Sequence, residues 1–297
     1  MMELFLAQIV NGLSLGSIYV LLVSGFNLLL LVARVIHYSY PTVVVFSMYA
    51  AWLVLSLTGG NVLLASLAAV VSAVAFNMAT APIFHRIMKK RGEVDINTTM
   101  IVSMGIGMIL TDFLSHSVNQ GYPISFGGFA LGDGGGTIFR WGLVSISLGQ
   151  VLALAAGALF VLLLFLLVYK TGPGRSFRAM AEDPNGAKLV GIPVFKTSLL
   201  SYSVTGLLGG ATALLIVALL GSASPGLGDD LARKVLAVSI IAGLGNLQGG
   251  LAIGISLGIL ESVIQGYLAG SWSDAISFAV MLVVVLVKPS GVFGSKV

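Results

Sequence analysis

The chain has 297 residues, of which 57% are hydrophobic and only 9% charged, with a mean hydropathy of +1.05. Soluble domains carry about 25% charged residues. Too little polar surface is therefore available to cover a water-soluble globule, which excludes a cytosolic enzyme, a secreted disulfide scaffold and a disordered chain together. No cysteine is present, so disulfides, thiol catalysis and Cys-based metal sites drop out. An integral membrane protein remains. The net charge of +4 reads as an orientation signal rather than a nucleic-acid footprint. The 38 glycines fit membrane helices that approach one another closely.

The start, Met1-Met2-Glu3-Leu4-Phe5-Leu6, has no basic n-region and no small-residue cleavage site, so it is expected to open a retained span. A helix needs about 20 apolar residues to cross the hydrocarbon core. In chain order the expected spans are 4–31, 37–57, 61–84, 97–117, 146–169, 199–220, 232–246, 248–268 and 272–288. These are nine segments within a range of eight to ten crossings. The first is long enough to contain a break near Gly25 or Asn27. The stretch 232–246 is short and glycine-rich, as a broken or re-entrant element would be. The aliphatic run 159–168 is expected to face lipid.

Nine crossings put Arg34, Arg86, Lys89, Lys90, Arg91, Lys170, Arg175, Arg178, Lys188, Lys196, Lys288 and Lys296 on one face, leaving Arg140, Arg233 and Lys234 opposite. By the positive-inside rule the first face is cytoplasmic, with the N-terminus outside and the C-terminus inside. An outer loop, 118–145, is rich in turn residues, including Gly127-Gly128 and Asp133-Gly134-Gly135-Gly136.

The inner loop, 170–197, carries the most information. Pro173 can open a short helix with Phe177, Met180 and Ala181 on one side and Arg175, Arg178 and Glu182 on others. Asp183 suits an N-cap, with Pro184 at the first position of a second helix. Gly191 fits a left-handed stop, followed by Pro193. An ordered, charged pair of helices at a membrane surface reads as a docking element.

Gly174-Arg175-Ser-Phe-Arg178-Ala-Met-Ala-Glu182-Asp183-Pro184, followed by Ala187-Lys-Leu-Val-Gly191-Ile192, resembles the coupling loop of branched-chain amino acid ABC transporter permeases. Asn11-Gly12-Leu-Ser-Leu-Gly16-Ser17-Ile-Tyr19 is similar to the first helix of that family. Ala242-Gly243-Leu-Gly245-Asn246-Leu-Gln248-Gly249-Gly250 is similar to its glycine-rich turn, and Lys288-Pro289-Ser-Gly291-Val-Phe293-Gly294 to its C-terminal end. The resemblance runs in order along nearly the whole chain, and the length resembles the shorter of the two permease types. One run departs from the pattern: His37-Tyr38-Ser39-Tyr40-Pro41-Thr42 stands where the family has an Asn-Phe-Ala-His-Gly-acid sequence.

The resemblance implies an all-α polytopic membrane protein of the ABC importer permease fold, a single permease domain over 1–297 with the coupling loop at 170–197. It implies a second permease subunit, as a heterodimer, with two ATP-binding subunits beneath and an external solute-binding protein above. In that frame Arg175, Phe177, Arg178, Ala179, Glu182, Asp183, Pro184, Ala187 and Gly191 are the expected ATPase contacts. The chain has no Gly-x-x-x-x-Gly-Lys-Ser/Thr phosphate loop, in keeping with hydrolysis by separate subunits. No catalytic residue, metal site or cofactor is expected. The cargo expected is a branched-chain or related amino acid. The departure at 37–42 keeps open urea, a short amide or a small organic acid on the same machinery. A self-contained channel or secondary transporter is a further alternative.

Asn11, Ser14, Ser17 and Tyr19 give the first span a polar side, expected to be a water-facing wall or a packing face. Asn246 and Glu261 join them as pathway or packing candidates, since an ionisable group in hydrocarbon requires a partner or a wet path. Asp112 is close enough to its span end to snorkel. His37, His85 and His116 show no metal-ligand spacing, and like Tyr38 and Tyr40 they are expected at the interface. Gly12-x-x-x-Gly16, Gly206-x-x-x-Gly210 and Gly250-x-x-x-Gly254-x-x-x-Gly258 place small residues on single helix faces, within the subunit or against a partner.

Overall fold

A computed structural model describes residues 2–91, 96–127, 137–141, 144–268, 272–288 and 290–294. The turn residues Gly128 and Asp133 to Gly136, together with Pro289 and Lys296, lie outside the described residues. Each of the nine expected spans is a helix: α1 (Met2–Ala33), α2 (Tyr40–Leu57), α3 (Val62–Arg91), α4 (Ile96–Ser117), α5 (Leu148–Lys170), α8 (Val194–Leu220), α9 (Leu227–Ala242), α10 (Leu247–Tyr267) and α11 (Ser273–Val287). Two short helices, α6 (Gly172–Glu182) and α7 (Pro184–Leu189), occupy the inner loop. Among the described residues, seven helices are long and apolar enough to cross a membrane. The 16-residue α9 and 15-residue α11 are not.

Among the described residues, the segment expected as an outer loop contains strands. β1 (Ile124–Ser125) pairs antiparallel with β4 (Ser222–Ala223), tying the end of α8 to the loop after α4. β2 (Thr137–Trp141) pairs antiparallel with β3 (Val144–Ser147). Ser147 then caps α5 in a reciprocal box with Gln150.

α1 is the central helix, packed by α10, α8, α5, α6 and α9. Its glycines explain how. A Cβ on Gly12 would sit 2.6 Å from Ile259 Cα, and one on Gly16 3.0 Å from Ile255 Cα. On the facing helix Gly250, Gly254 and Gly258 abut Val23, Val20 and Gly16. Gly206 and Gly210 of α8 lie against Val74 and Val70 of α3 in the same way. All three small-residue stripes therefore close contacts inside the subunit. Leu159, Leu162, Leu163 and Leu166 of α5 are exposed, as a lipid-facing run should be.

α1 is unbroken at Gly25 and Asn27. The chain departs from the helix at Arg34, which has φ +53°, and residues 34–39 are non-helical. Contacts with three glycines fix the depth at which α2 begins. Cβ atoms on Gly25, Gly107 and Gly209 would meet Tyr40, Ser39 and Tyr40 respectively, at 2.6, 3.4 and 3.0 Å. Gly25 is ~12 Å from the end of α1 at 1.5 Å per residue, and Gly107 and Gly209 lie near the middles of α4 and α8. The link thus climbs into the membrane, and α2 begins near its mid-depth. Gly228, in the first turn of α9, packs on Thr42, where a Cβ would sit 2.8 Å from Thr42 Cα. α9 begins at the same depth and runs back to the basic end. There, residues 243–246 meet Leu31 and Phe293, and Val292 N donates to Ile241 O at 2.6 Å.

A non-helical backbone at this depth must find internal partners. Ser39 N donates to Ser103 Oγ at 2.9 Å, and the two hydroxyls are 3.0 Å apart. His37 stands between Thr80 Oγ1 (3.1 Å, from Nε2) and Ser39 Oγ (3.2 Å, from Nδ1), with its ring against Phe84 and Tyr202. His37 and Tyr40 are 0% exposed, which corrects their expected interfacial placement. The polar link draws both inward. His116 and Asp112 do sit exposed at the end of α4, paired at 3.2 Å.

Gly258→Ala should lower the thermal unfolding midpoint, because overpacking a closed helix contact costs about 1–3 kcal/mol. Gly105→Ala, with nothing within 4 Å of the added Cβ, should leave it unchanged or raise it. Paired melting curves of the purified protein check both.

Candidate functional site

Ionisable side chains inside hydrocarbon mark a paired group or a wet path, and here they converge on α9. Its first turns carry Asp229, Asp230, Arg233 and Lys234. The expected span 232–246 opens on Arg233 and Lys234, on the face opposite the basic clusters; α9 starts earlier, at Leu227, and carries both within the helix. Lys234 Nζ lies 3.0 Å from Glu261 Oε1, 3.1 Å from Glu261 Oε2, 3.2 Å from Tyr19 Oη and 3.0 Å from Asp274 Oδ1. Tyr19 Oη in turn donates to Glu261 Oε2 at 2.5 Å. Four helices, α1, α9, α10 and α11, are tied at this one ammonium.

Burial is uneven across the group. The Glu261 side chain is 1% exposed and that of Lys234 14%, whereas Asp274 is 65% exposed. Arg233 and Asp230 form an i, i+3 ion pair with both side chains more than half exposed. Tyr38 is half-buried in the link before α2. Tyr19 and Glu261 are legible from sequence as candidates. Lys234 and Asp274 are not, and the only available signal is the charge run 229–234 just ahead of an apolar stretch.

The remaining first-span candidates make packing contacts. Ser14 is 2% exposed and, like Ser17, donates its hydroxyl to its own helix at 3.0 Å. Asn11 accepts from Gln150 Nε2 at 2.6 Å. Ser14 and Ser17 thus bond within α1, while Asn11 is exposed and meets Gln150 of α5. Asn246 caps α10, accepting from Gly249 N at 2.8 Å and donating to Phe293 O at 2.9 Å. Among the described residues no group of three or more His, Asp or Glu is placed to hold a metal.

Between α9 and α11 lies an apolar groove of ≈ 560 Å³. Its walls include Ala237, Ile240, Ala275, Phe278 and Leu282.

The inner loop is built as its caps require. Thr171 Oγ1 accepts from Gly174 N at 3.2 Å, opening α6. Asp183 accepts from Asn185 N and Gly186 N, both at 2.9 Å, opening α7 with Pro184 in its first turn. Gly191 takes φ +84°, and Ile192 N donates back to Ala187 O at 3.0 Å. Arg34 donates to Ala181 O and Glu182 O, holding the end of α6 against the end of α1. Phe177 and Ala187 are buried and Ala179 half-buried, and Arg178 donates to Val168 O beneath the Tyr169 ring. The outer surface presents Arg175, Glu182, Asp183 and Gly191. It also presents two residues that the sequence does not single out, Leu189 and Val190, at 89% and 77% exposed.

The protein is a helical body with membrane-spanning character and an ordered cap-and-stop loop at one end. The chain matches, over residues 8–285, the model of the family described as the permease component of branched-chain amino acid transport systems, and it belongs to that family. It is 24% identical over 259 residues to the high-affinity branched-chain amino acid transport permease BraD of Pseudomonas aeruginosa, covering 83% of this chain and 82% of that one. It is 28% identical to a probable branched-chain amino acid permease, LivH, of Methanocaldococcus jannaschii, over 80% of this chain and 73% of the relative. The LivH permease of Escherichia coli K12 is 26% identical over 83% and 82% of the two chains. No solved structure matches.

Lys234→Met should destabilise the protein by about 3–5 kcal/mol, because it leaves a buried carboxylate without its counter-charge. Adding Glu261→Gln to that variant should restore most of the loss. Thermal unfolding of the single and double variants checks the coupling.

Proposed function

We propose that this chain is the membrane-spanning permease subunit of an ATP-driven importer for branched-chain or related amino acids. It works beside a second permease subunit, over two ATP-binding subunits, and takes solute from an external binding protein. The observation that carries the reading is the family match across residues 8–285 together with the capped α6–α7 pair. The relatives are named for branched-chain amino acid transport, which supports the cargo class.

In this reading the protein lies in the cell inner membrane with its N-terminus outside and its C-terminus in the cytoplasm. The α6–α7 pair seats in a groove of the ATPase. Phe177, Arg178, Ala179 and Ala187 hold the pair to the membrane body. Arg175, Glu182, Leu189 and Val190 supply the contacting surface, while Asp183, Pro184 and Gly191 fix its shape. An exposed apolar pair at a charged tip suits a docking contact with an apolar centre and polar rim. Arg34 links this loop directly to the end of α1, so displacement of the loop reaches the central helix without an intermediate. The switch between inward-open and outward-open states is driven only if nucleotide-bound and free ATPase prefer different loop positions. His37 is buried among side chains of its own subunit, so the departure at 37–42 gives no support to a different cargo.

Leu189→Asp and Glu182→Arg should each reduce co-purification of the ATP-binding subunit at least about tenfold, since removing a central interface contact costs more than about 1.4 kcal/mol. The permease itself should remain at normal levels in the membrane. Undiminished co-purification in both variants, or solute movement by the purified permease without nucleotide, would sink the reading.

A further inference from the structure

The α6–α7 pair is joined to the rest of the protein in two unlike ways. Along the chain it continues from α5 and into α8. Its opening turns are also bonded back to α5, where Thr171 Oγ1 donates to Leu167 O and Arg178 donates to Val168 O. A displacement of the pair therefore reaches α5 and α8 through the covalent chain. The central helix is joined across space instead. Arg34 Nη2 donates to Ala181 O at 3.3 Å and to Glu182 O at 3.2 Å, across 147 and 148 positions of sequence. Ala181 and Glu182 are the last two residues of α6. Carbonyls there have no partner inside the helix and form the negative end of its dipole. Arg34 makes this reach with a φ of +53°, a region that residues other than glycine seldom enter. A strained residue persists where its surroundings over-determine it, and such residues gather at switch regions. Arg34 follows the last residue of α1 and opens the link 34–39, whose His37 and Ser39 are bonded to α3 and α4. One residue thus stands where the docking pair, the central helix and the approach to α2 meet.

Resting on the functional reading above, we propose that Arg34 is a positioning residue of the transport cycle. Its guanidinium fixes the end of α6 to the junction of α1 and the link, and movement of the ATPase-bound pair passes through that contact to α1 and α2. The buried side chains of Phe177 and Met180 also hold the pair to the body. Apolar packing of that kind is non-directional, and one surface slides on the other. Hydrogen bonds from a cation to two successive carbonyls are short-ranged and directional, so they fix the register of the contact. Arg34 is half-buried and bonds to the carbonyls of α6 rather than to its outward side chains. Its loss therefore separates transmission from docking.

The test measures L-leucine uptake and ATP hydrolysis side by side on the complete transporter, reconstituted with its ATP-binding subunits and binding protein. Arg34→Gln removes the cation. Arg34→Gly removes the whole side chain while taking the positive φ without steric cost. In each, leucine moved per ATP hydrolysed should fall at least about fivefold, the low end of the coupling between linked sites. Co-purification of the ATP-binding subunit should be undiminished. The chain has no cysteine, so Arg34→Cys combined with Ala181→Cys can be joined by a bifunctional thiol reagent of arginine-like span. Joining the two should restore the ratio that the unjoined double variant has lost. If Arg34→Gln does not assemble, Arg34→Gly and the joined pair carry the test. If the unmodified transporter moves leucine with ATP and the ratio is unchanged in Arg34→Gly, the Arg34 assignment is overturned while the functional reading stands. A fall matched by loss of the ATP-binding subunit overturns it equally, because Arg34 then only shapes the docking surface. If the unmodified transporter shows no ATP-dependent leucine uptake, the functional reading fails and the assignment falls with it.

Discussion

The structure turns on one constraint: inside a membrane, every polar group taken out of helical hydrogen bonding needs a partner supplied by the protein. The link at 34–39 leaves the helix and climbs to mid-depth, and the contacts around it answer its needs in turn. Ser103 accepts the Ser39 amide, and Thr80 and Ser39 hold the ring of His37. Phe84 and Tyr202 shut the group from outside. Because the link ends near mid-depth, α2 starts there, and α9 starts against it. Asp229, Asp230, Arg233 and Lys234, in the first turns of α9, are thereby brought close to the start of α2.

The same constraint explains the ion cluster. Glu261 on α10 is buried and needs a counter-charge; α9 carries Lys234 in from mid-depth, and Tyr19 of the central helix completes the shell. A buried pair of this kind is not by itself evidence of stability, since two charges have been taken out of water to make it. It does fix which faces of α1, α9, α10 and α11 meet.

At the basic end the problem is mechanical. Arg34 leaves α1 with a left-handed backbone and directs its guanidinium to the last carbonyls of α6, where a helix end attracts a cation. The end of α6 is thereby tied to the end of the central helix. Its outward tip, Leu189 and Val190, has no partner among the described residues of its own chain. Two large apolar side chains exposed beside charges are the expected surface of a subunit that is incomplete alone.

The sequence by itself determined the membrane class, the nine helical segments, the cap at Asp183, the stop at Gly191 and the close-packing role of the glycine stripes. Each follows from local signals: hydropathy, Asp183 before Pro184, a glycine at a left-handed stop, and small residues four apart. Tertiary structure alone decided the depths at which helices begin, and so which charges are inside. Arg233 and Lys234 stand at the edge of the expected span 232–246. Only Thr42 against Gly228 shows that α9 opens mid-membrane. Tyr19 and Glu261 are legible as polar residues in apolar helices, but Lys234 and Asp274 as their partners are not. The Lys234 contacts bring together residues up to 215 positions apart, and no local pattern encodes which helices will be neighbours.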